Sequence, residues 1–495
     1  MAGLTRRGVI FAAGAAAGVG SSRYLASHNP VLDGTASIKP VGGAGVMNDA
    51  SGLSETPIHK HIVVKQDPGD VLIDALRAEL LAAKSDGRGV NIGAARHSMG
   101  GQAIPQDGLA ITYDNGFIEP DVEAGTYRVH AGARWSQVIG ALDPIGFGPK
   151  VMQSNHDFGV AATYSVNAHG WPVPFGPMGA TVRSVNMVLP SGDVVTASRT
   201  ENSDLFGMAM GGYGLVGLIT EMDVEMTSNQ RLVPKYEKIP AVDLAKTLMA
   251  AVKDPNVTMA YGRMNVDRAH FFENGLVISY TPDDNQDELP AASGSGLPSK
   301  IASRVYRYQL GNERWKSMRW TIESDIGPRL GSGTATRNSL INEPVLTLDD
   351  RDPDRTDILH EYFVHPDSFP EFIEACQDVI PASYQEFLNI TLRYIAQDTE
   401  SWLSYAPVDR IAAVMSFSQE MTARAEADMA RMTQALIERI LDIGGSYYLP
   451  YRLHAAQAQF ERCYPRAAEF AAKKRALDPN NLLQNALWGT YLESL

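Results

Sequence analysis

The chain has 495 residues, long enough for two or three domains with cores of their own, and its 44% hydrophobic and 20% charged residues describe a globular protein. A net charge of −14 excludes a nucleic-acid binder that works by neutralising phosphates. Cys376 and Cys463 are far apart and form no CxxC, so a disulfide framework or cysteine-based metal site is excluded and two buried thiols are expected.

Thr5-Arg6-Arg7 precedes Gly8–Gly20, a mildly apolar run of small residues too short to span a bilayer. Paired arginines before such a run resemble a twin-arginine export signal, which implies a periplasmic or extracytoplasmic protein. Without a signal the protein is cytoplasmic. Residues 21–56, rich in Gly, Ala, Ser and Pro, read as a linker.

From Ile62 to Met226 short strands, turns and a few helices alternate. Asp70 caps a predicted helix whose face carries Leu72, Ala75, Leu76, Leu80 and Leu81 and which ends near Gly87. Residues 186–190 and 194–197 flank Ser191-Gly-Asp193 as a hairpin, and Leu218–Met226 alternates as a half-buried strand. Beyond Arg231 the pattern gives helix 241–252, strands 257–264 and 275–281, and a polar linker near 282–299. Strand 358–364, helix 368–379, strands 387–395 and 411–417, and helix 421–443 follow. Two such sets suggest related layers in which helices cover a large antiparallel sheet. The last segment, 450–495, is too short to fold alone and is expected to pack back on the first domain.

The most informative stretch is Gly93-Ala-Ala-Arg-His-Ser-Met-Gly-Gly-Gln-Ala103, which follows the apolar Val90 and Ile92. Consecutive N–H groups in a glycine-rich turn form a concavity suited to anions, and His97 adds a nucleophilic nitrogen beside it. Gly212-Tyr-Gly-Leu-Val-Gly217 matches GxGxxG, but a strand rather than a helix follows. The dinucleotide fingerprint needs a helix there, so a nicotinamide-binding Rossmann fold is disfavoured and a tight turn is expected.

Taken together, three segments resemble the FAD-linked oxidases of the vanillyl-alcohol oxidase / p-cresol methylhydroxylase superfamily. They are Gly93–Ala103; Phe158-Gly-Val-Ala-Ala-Thr-Tyr-Ser-Val-Asn-Ala-His-Gly170; and Ser191-Gly-Asp193 with Glu201–Phe206 leading into Gly211–Thr220. Arg96-His-Ser-Met-Gly-Gly-Gln-Ala103 is similar to turns of cytokinin dehydrogenases and of alditol and aldonolactone oxidases. The resemblance implies FAD held by Gly93, Arg96, His97, Ser98, Gln102, Gly159, Asn167, His169, Gly170, Gly214 and Ile219, with a covalent link through His97. His169 reads more readily as a structural hydrogen-bonder than as a base. Leu392–Ser404 looks like the substrate-domain strand of alditol and aldonolactone oxidases, which carry Glu-x-Arg facing the flavin. Arg393 keeps the arginine; Thr391 replaces the acid. Residues 445–454 resemble a closing segment that sets a lysine over the flavin about where Tyr451 or Arg452 stands.

The catalytic candidates are therefore Arg393, Tyr451 and Arg452. A guanidinium is always charged and stabilises an anionic reduced flavin or an alkoxide, while Tyr451 or His454 acts as base if a neighbouring cation lowers its pKa. The basic, aromatic run Lys300–Trp320 is either a peripheral membrane or acceptor contact or a solvated helix face.

The expected fold is α+β. A signal and linker occupy 1–56, and an FAD-binding domain of the p-cresol methylhydroxylase (PCMH) type spans 57–230. A substrate-binding cap with a large antiparallel sheet spans 231–449, and a C-terminal segment spans 450–495. The expected reaction is oxidation of a CH–OH group of a small molecule, with oxygen or a quinone-type carrier as acceptor. C–N oxidation and a catalytically silent flavin- or ligand-binding protein are the alternatives.

Overall fold

The computed structural model describes residues 35–293, 307–330, 334–343 and 352–495. The twin-arginine stretch, Lys300 and Arg304 lie outside these. A small parallel sheet in the order Lys60–Val64, Leu109–Tyr113, Val90–Gly93 opens the N-terminal part. Helix Asp70–Ser85 buries Leu72, Leu76, Leu80 and Ala83, the spacing of one helical face. The stripe turns out narrower than expected: Leu81 is 70% exposed, and Gly69 rather than Asp70 is the N-cap.

A six-stranded antiparallel sheet follows, built around Leu218–Ser228. That strand pairs with Val182–Val188 on one side and Thr126–His130 on the other, and with Phe147–Pro149 beyond them. The expected hairpin is present as Val182–Val188 against Val194–Ser198. Because a strand follows Gly217, the GxGxxG glycines make a turn: Gly211, Tyr213 and Gly214 all have positive φ.

Beyond residue 230 the two expected α/β sets merge into one eight-stranded antiparallel sheet. Its order is Ala335–Thr336, Arg231–Pro240, Asn274–Pro282, Met259–Met264, Glu386–Ile395, Arg410–Glu420, Arg355–Val364, Ser446–Tyr447. The halves join through a narrow seam, Gly262 opposite Leu392 and Arg263 opposite Thr391. Helices Leu244–Lys253, Phe369–Val379 and Ala423–Asp442 pack on this part of the molecule. The basic run is partly turned inward. Arg307 makes a bidentate pair with Asp357 (2.6 and 2.9 Å), and the buried Lys316 bonds Glu313 and Glu386.

The C-terminal segment returns to the first part. Val90 donates to Leu482 O (2.6 Å), and Asn485 Nδ2 reaches the carbonyls of Gln102 and Tyr213. Cys376 and Cys463 are buried free thiols. Among the described residues no helix is long and apolar enough to cross a membrane.

Candidate active site

The turn Gly93–Ala103 leaves the carboxyl end of strand Val90–Gly93, the end of an open parallel sheet where ligands bind. Its shape depends on a left-handed Arg96 (φ 54°) and on Gly93, where a Cβ would sit 3.1 Å from the Arg96 guanidinium carbon. That guanidinium bonds Ala103 O, Ile111 O and Thr112 Oγ1, so it closes the turn on itself. Burial first, then Arg134, draws its pKa down to about 10. The His97 ring lies against Phe158, centroids 4.3 Å apart. Gln102 accepts from Gly100 N and donates to Leu449 O and Tyr451 O, while Met99 N donates to Pro450 O. These bonds stitch the turn to the C-terminal segment.

The second loop lies against the first: a Cβ on Gly159 would come within 2.7 Å of Ala94 Cβ. Between these loops, the Tyr213–Ile219 turn and the large sheet lies a cavity. Of the residues expected at the site, Gly93, Arg96, His97, Ser98, Gln102, Gly159, His169, Gly214, Ile219, Arg393 and Tyr451 line it.

Three do not. Asn167 spends its side chain on Asp398 and on Gly179 N, and Gly170 lets the chain pass Met152 O, from which a Cβ would stand 2.1 Å away. Arg452 points away, bonding Glu426 at 2.6 Å and the region of Ser54 and Met99 at 3.3 Å. His454, the other candidate base, shares Glu426 with it.

The cap wall also holds a residue that the sequence reading passed over. Glu361 is 4% exposed; its Oε1 bonds His169 Nε2 and its Oε2 accepts from Tyr451 Oη at 3.1 Å. Arg393 donates to His169 O (3.2 Å) and Ser154 Oγ (2.7 Å). Burial draws the Arg393 pKa down, and Glu361 opposes that shift most among the nearby charges. Tyr451 has the opposite polarity from a ready base. Burial pushes its phenol well above the usual range, Glu361 pushes it further, and only Arg393 opposes.

Thr391, where the resemblance places an acid, instead accepts from Arg263 Nη1 at 2.7 Å. Across the sheet Thr391 is opposite Val414, and Val414 is opposite Glu361. The carboxylate beside Arg393 thus comes from two strands over, at the same level. The one available signal was an acid, beside His360, in the largely apolar and aromatic strand Ile358–Val364.

The donor set fits an FAD. Small residues (Ala94, Ala95, Ala161, Ala162) leave flat apolar room, and the turn residues Gly93–Ser98 line the cavity beside the Arg96 guanidinium. Ser98 Oγ, on a residue of the same wall, is buried with no protein partner. Among the described residues no group of three His, Cys, Asp or Glu is arranged to hold a metal.

Residues 73–198 match the family model for an FAD binding domain. Cytokinin dehydrogenase 7 of Oryza sativa subsp. japonica is 27% identical over 223 residues, 42% of this chain and 41% of the relative. Alditol oxidase of Streptomyces sp. (strain IKD472 / FERM P-14339) is 31% identical over 141 residues, 28% of this chain and 34% of its own. L-galactono-1,4-lactone dehydrogenase 2, mitochondrial, of Oryza sativa subsp. japonica is 25% identical over 177 residues, 36% and 30% of the two chains. The chain spans less than half the length of each of these relatives.

Proposed function

We propose that the protein, whose residues 73–198 match the family model for an FAD binding domain, is an FAD-dependent oxidoreductase of the vanillyl-alcohol oxidase / p-cresol methylhydroxylase superfamily acting on a CH–OH group of a small hydroxylated molecule. The observation that carries this reading is a single cavity in which the three glycine-bearing loops face Arg393, Glu361 and Tyr451 of the opposite wall. Bound FAD supplies the two-electron acceptor for an alcohol C–H.

The chain's own residues supply the rest. Ser98, whose buried hydroxyl has no protein partner, holds the cofactor's polar atoms together with the turn Gly93–His97, and His97 is the point of covalent attachment. Arg393, fixed by two hydrogen bonds, stabilises negative charge as it develops, because a guanidinium held in place needs no reorganisation during the reaction. C–N oxidation is the second reading, favoured by the match to cytokinin dehydrogenase 7.

The visible spectrum before and after acid precipitation tests the reading. Flavin absorbance that stays with the pellet, and leaves it in His97→Ala, is the expected result. Colour in the supernatant discards the covalent link alone, and a colourless protein that takes up no FAD overturns the proposal. Anaerobic bleaching by alditols or aldonolactones, but not by isopentenyladenine, separates CH–OH from C–N oxidation.

A further inference from the structure

Resting on the FAD reading above, we infer that Glu361 is the proton acceptor of this site, reached through Tyr451, and that His169 is its positioning residue. Four observations on one cavity wall lead there. Glu361 is an acid in a strand whose neighbours Ile358, Tyr362, Phe363 and Val364 are buried and apolar or aromatic, a costly placement for a carboxylate unless it is paired and used. Its two oxygens are divided: Oε1 is held by His169 Nε2, and Oε2 faces the Tyr451 hydroxyl. Glu361, Tyr451, His169 and Arg393 all line the same cavity. Finally, Thr391, level with Glu361 across the sheet, carries no proton-accepting charge and is occupied by Arg263.

The direction of the Tyr451 bond fixes the order of events. A phenol pushed upward by burial and by Glu361 stays protonated, so it does not take a proton as a phenolate. It donates to Glu361 and can accept from a substrate hydroxyl on the same oxygen. As the substrate O–H bond breaks, its proton forms a new bond to Tyr451 Oη, while the proton already on Tyr451 passes to Glu361 Oε2. The carboxylate becomes a carboxylic acid, the tyrosine is unchanged, and the C–H bond gives up its hydride to the two-electron acceptor named above. The His169 bond holds Oε1 and leaves Oε2 as the receiving atom. Rings of Phe363, Tyr405 and Tyr448 surround His169 within 5.7–6.3 Å and exclude water from this side.

The experiment compares Glu361→Gln, Glu361→Asp and Tyr451→Phe with the parent in two ways. The first is the midpoint potential of the bound flavin, equilibrated with dithionite and indicator dyes, which needs no substrate. Loss of the carboxylate in Glu361→Gln is expected to move the potential to a less negative value, because an anion beside the cavity opposes electron uptake; Tyr451→Phe keeps the charge and moves it least. The second is the anaerobic rate of flavin bleaching by an alditol or aldonolactone. It is expected to fall roughly 10²–10⁴-fold in Glu361→Gln, with partial recovery in Glu361→Asp. An unmoved potential in a Glu361→Gln protein that retains flavin overturns the inference, as does bleaching at the parent rate. A parent protein that binds no flavin sinks the FAD reading itself, a separate failure.

Discussion

The N-terminal wall of the cavity comes from three short glycine-bearing loops, Gly93–Ala103 among them, whereas the facing residues Glu361, Arg393 and Tyr451 come from two strands of the large sheet and the C-terminal segment. The first wall is shaped by its backbone, through the left-handed Arg96 and the close approaches at Gly93 and Gly159. The second is made of side chains, each placed by a different part of the chain. Damage to the first should therefore act on folding and cofactor retention, and damage to the second on chemistry with the cofactor still in place.

Arg393→Ala is the sharpest break in that comparison. Flavin content should be kept while the bleaching rate falls roughly 10²–10³-fold, the size expected for losing one preorganised charge. Arg393→Lys should not restore it, since an ammonium cannot span both His169 O and Ser154 Oγ as the guanidinium does. Stopped-flow reduction measures both variants.

Gly100→Ala tests the other wall. Its Cβ would lie 2.6 Å from Tyr451 O, and backbone must move to admit it. A loss of about 1–3 kcal/mol in denaturant unfolding, together with lowered flavin content, is the expected outcome. If Gly100→Ala instead keeps full stability and loses only rate, the division between the walls is wrong.

The smallest effect comes from pH. His360 sits on the same strand as Glu361 and bonds Thr433 of helix Ala423–Asp442. Burial first, then His454, draws its pKa down to about 3, and burial draws His130 to about 4. Both are depressed below the ordinary 6.5, so the unfolded chain takes up protons that the folded chain refuses, and stability falls as pH drops below about 6.5. Glu426 adds to this at lower pH. Burial alone would raise its pKa, but the His454 hydrogen bond and Arg452 hold it well below the usual carboxylate range. Thermal melts from about pH 7 to about pH 4.5 should show a falling Tm, with a shallower slope in His360→Gln.

Local patterns were the legible part of the fold. The Asp70–Ser85 helix, the Val182–Ser198 hairpin and the Leu218–Ser228 strand each follow from periodicity within one window, so they match the expectation to within a few residues. Leu81 fails because helix periodicity says which residues share a face and not how wide the buried stripe is. The merging of the two α/β sets into one sheet was not legible either. It depends on two residue pairs, Gly262–Leu392 and Arg263–Thr391, between strands more than a hundred residues apart.

The site divides in the same way. His97, Ser98, Gly159 and Gly214 line one cavity, because each belongs to a short motif whose backbone shape is locally determined. Asn167, Gly170 and Arg452 lie in or beside such motifs, yet their side chains or close approaches are taken up by Asp398, Met152 and Glu426.

By itself, then, the sequence determined the glycine turns, the element types and the FAD-type signature, all of which arise from dihedrals and spacing along a few residues. Only the tertiary structure decided which acid stands beside Arg393. A carboxylate two strands away occupies the level that Thr391 leaves without one, and sheet register, which no local window contains, sets that position.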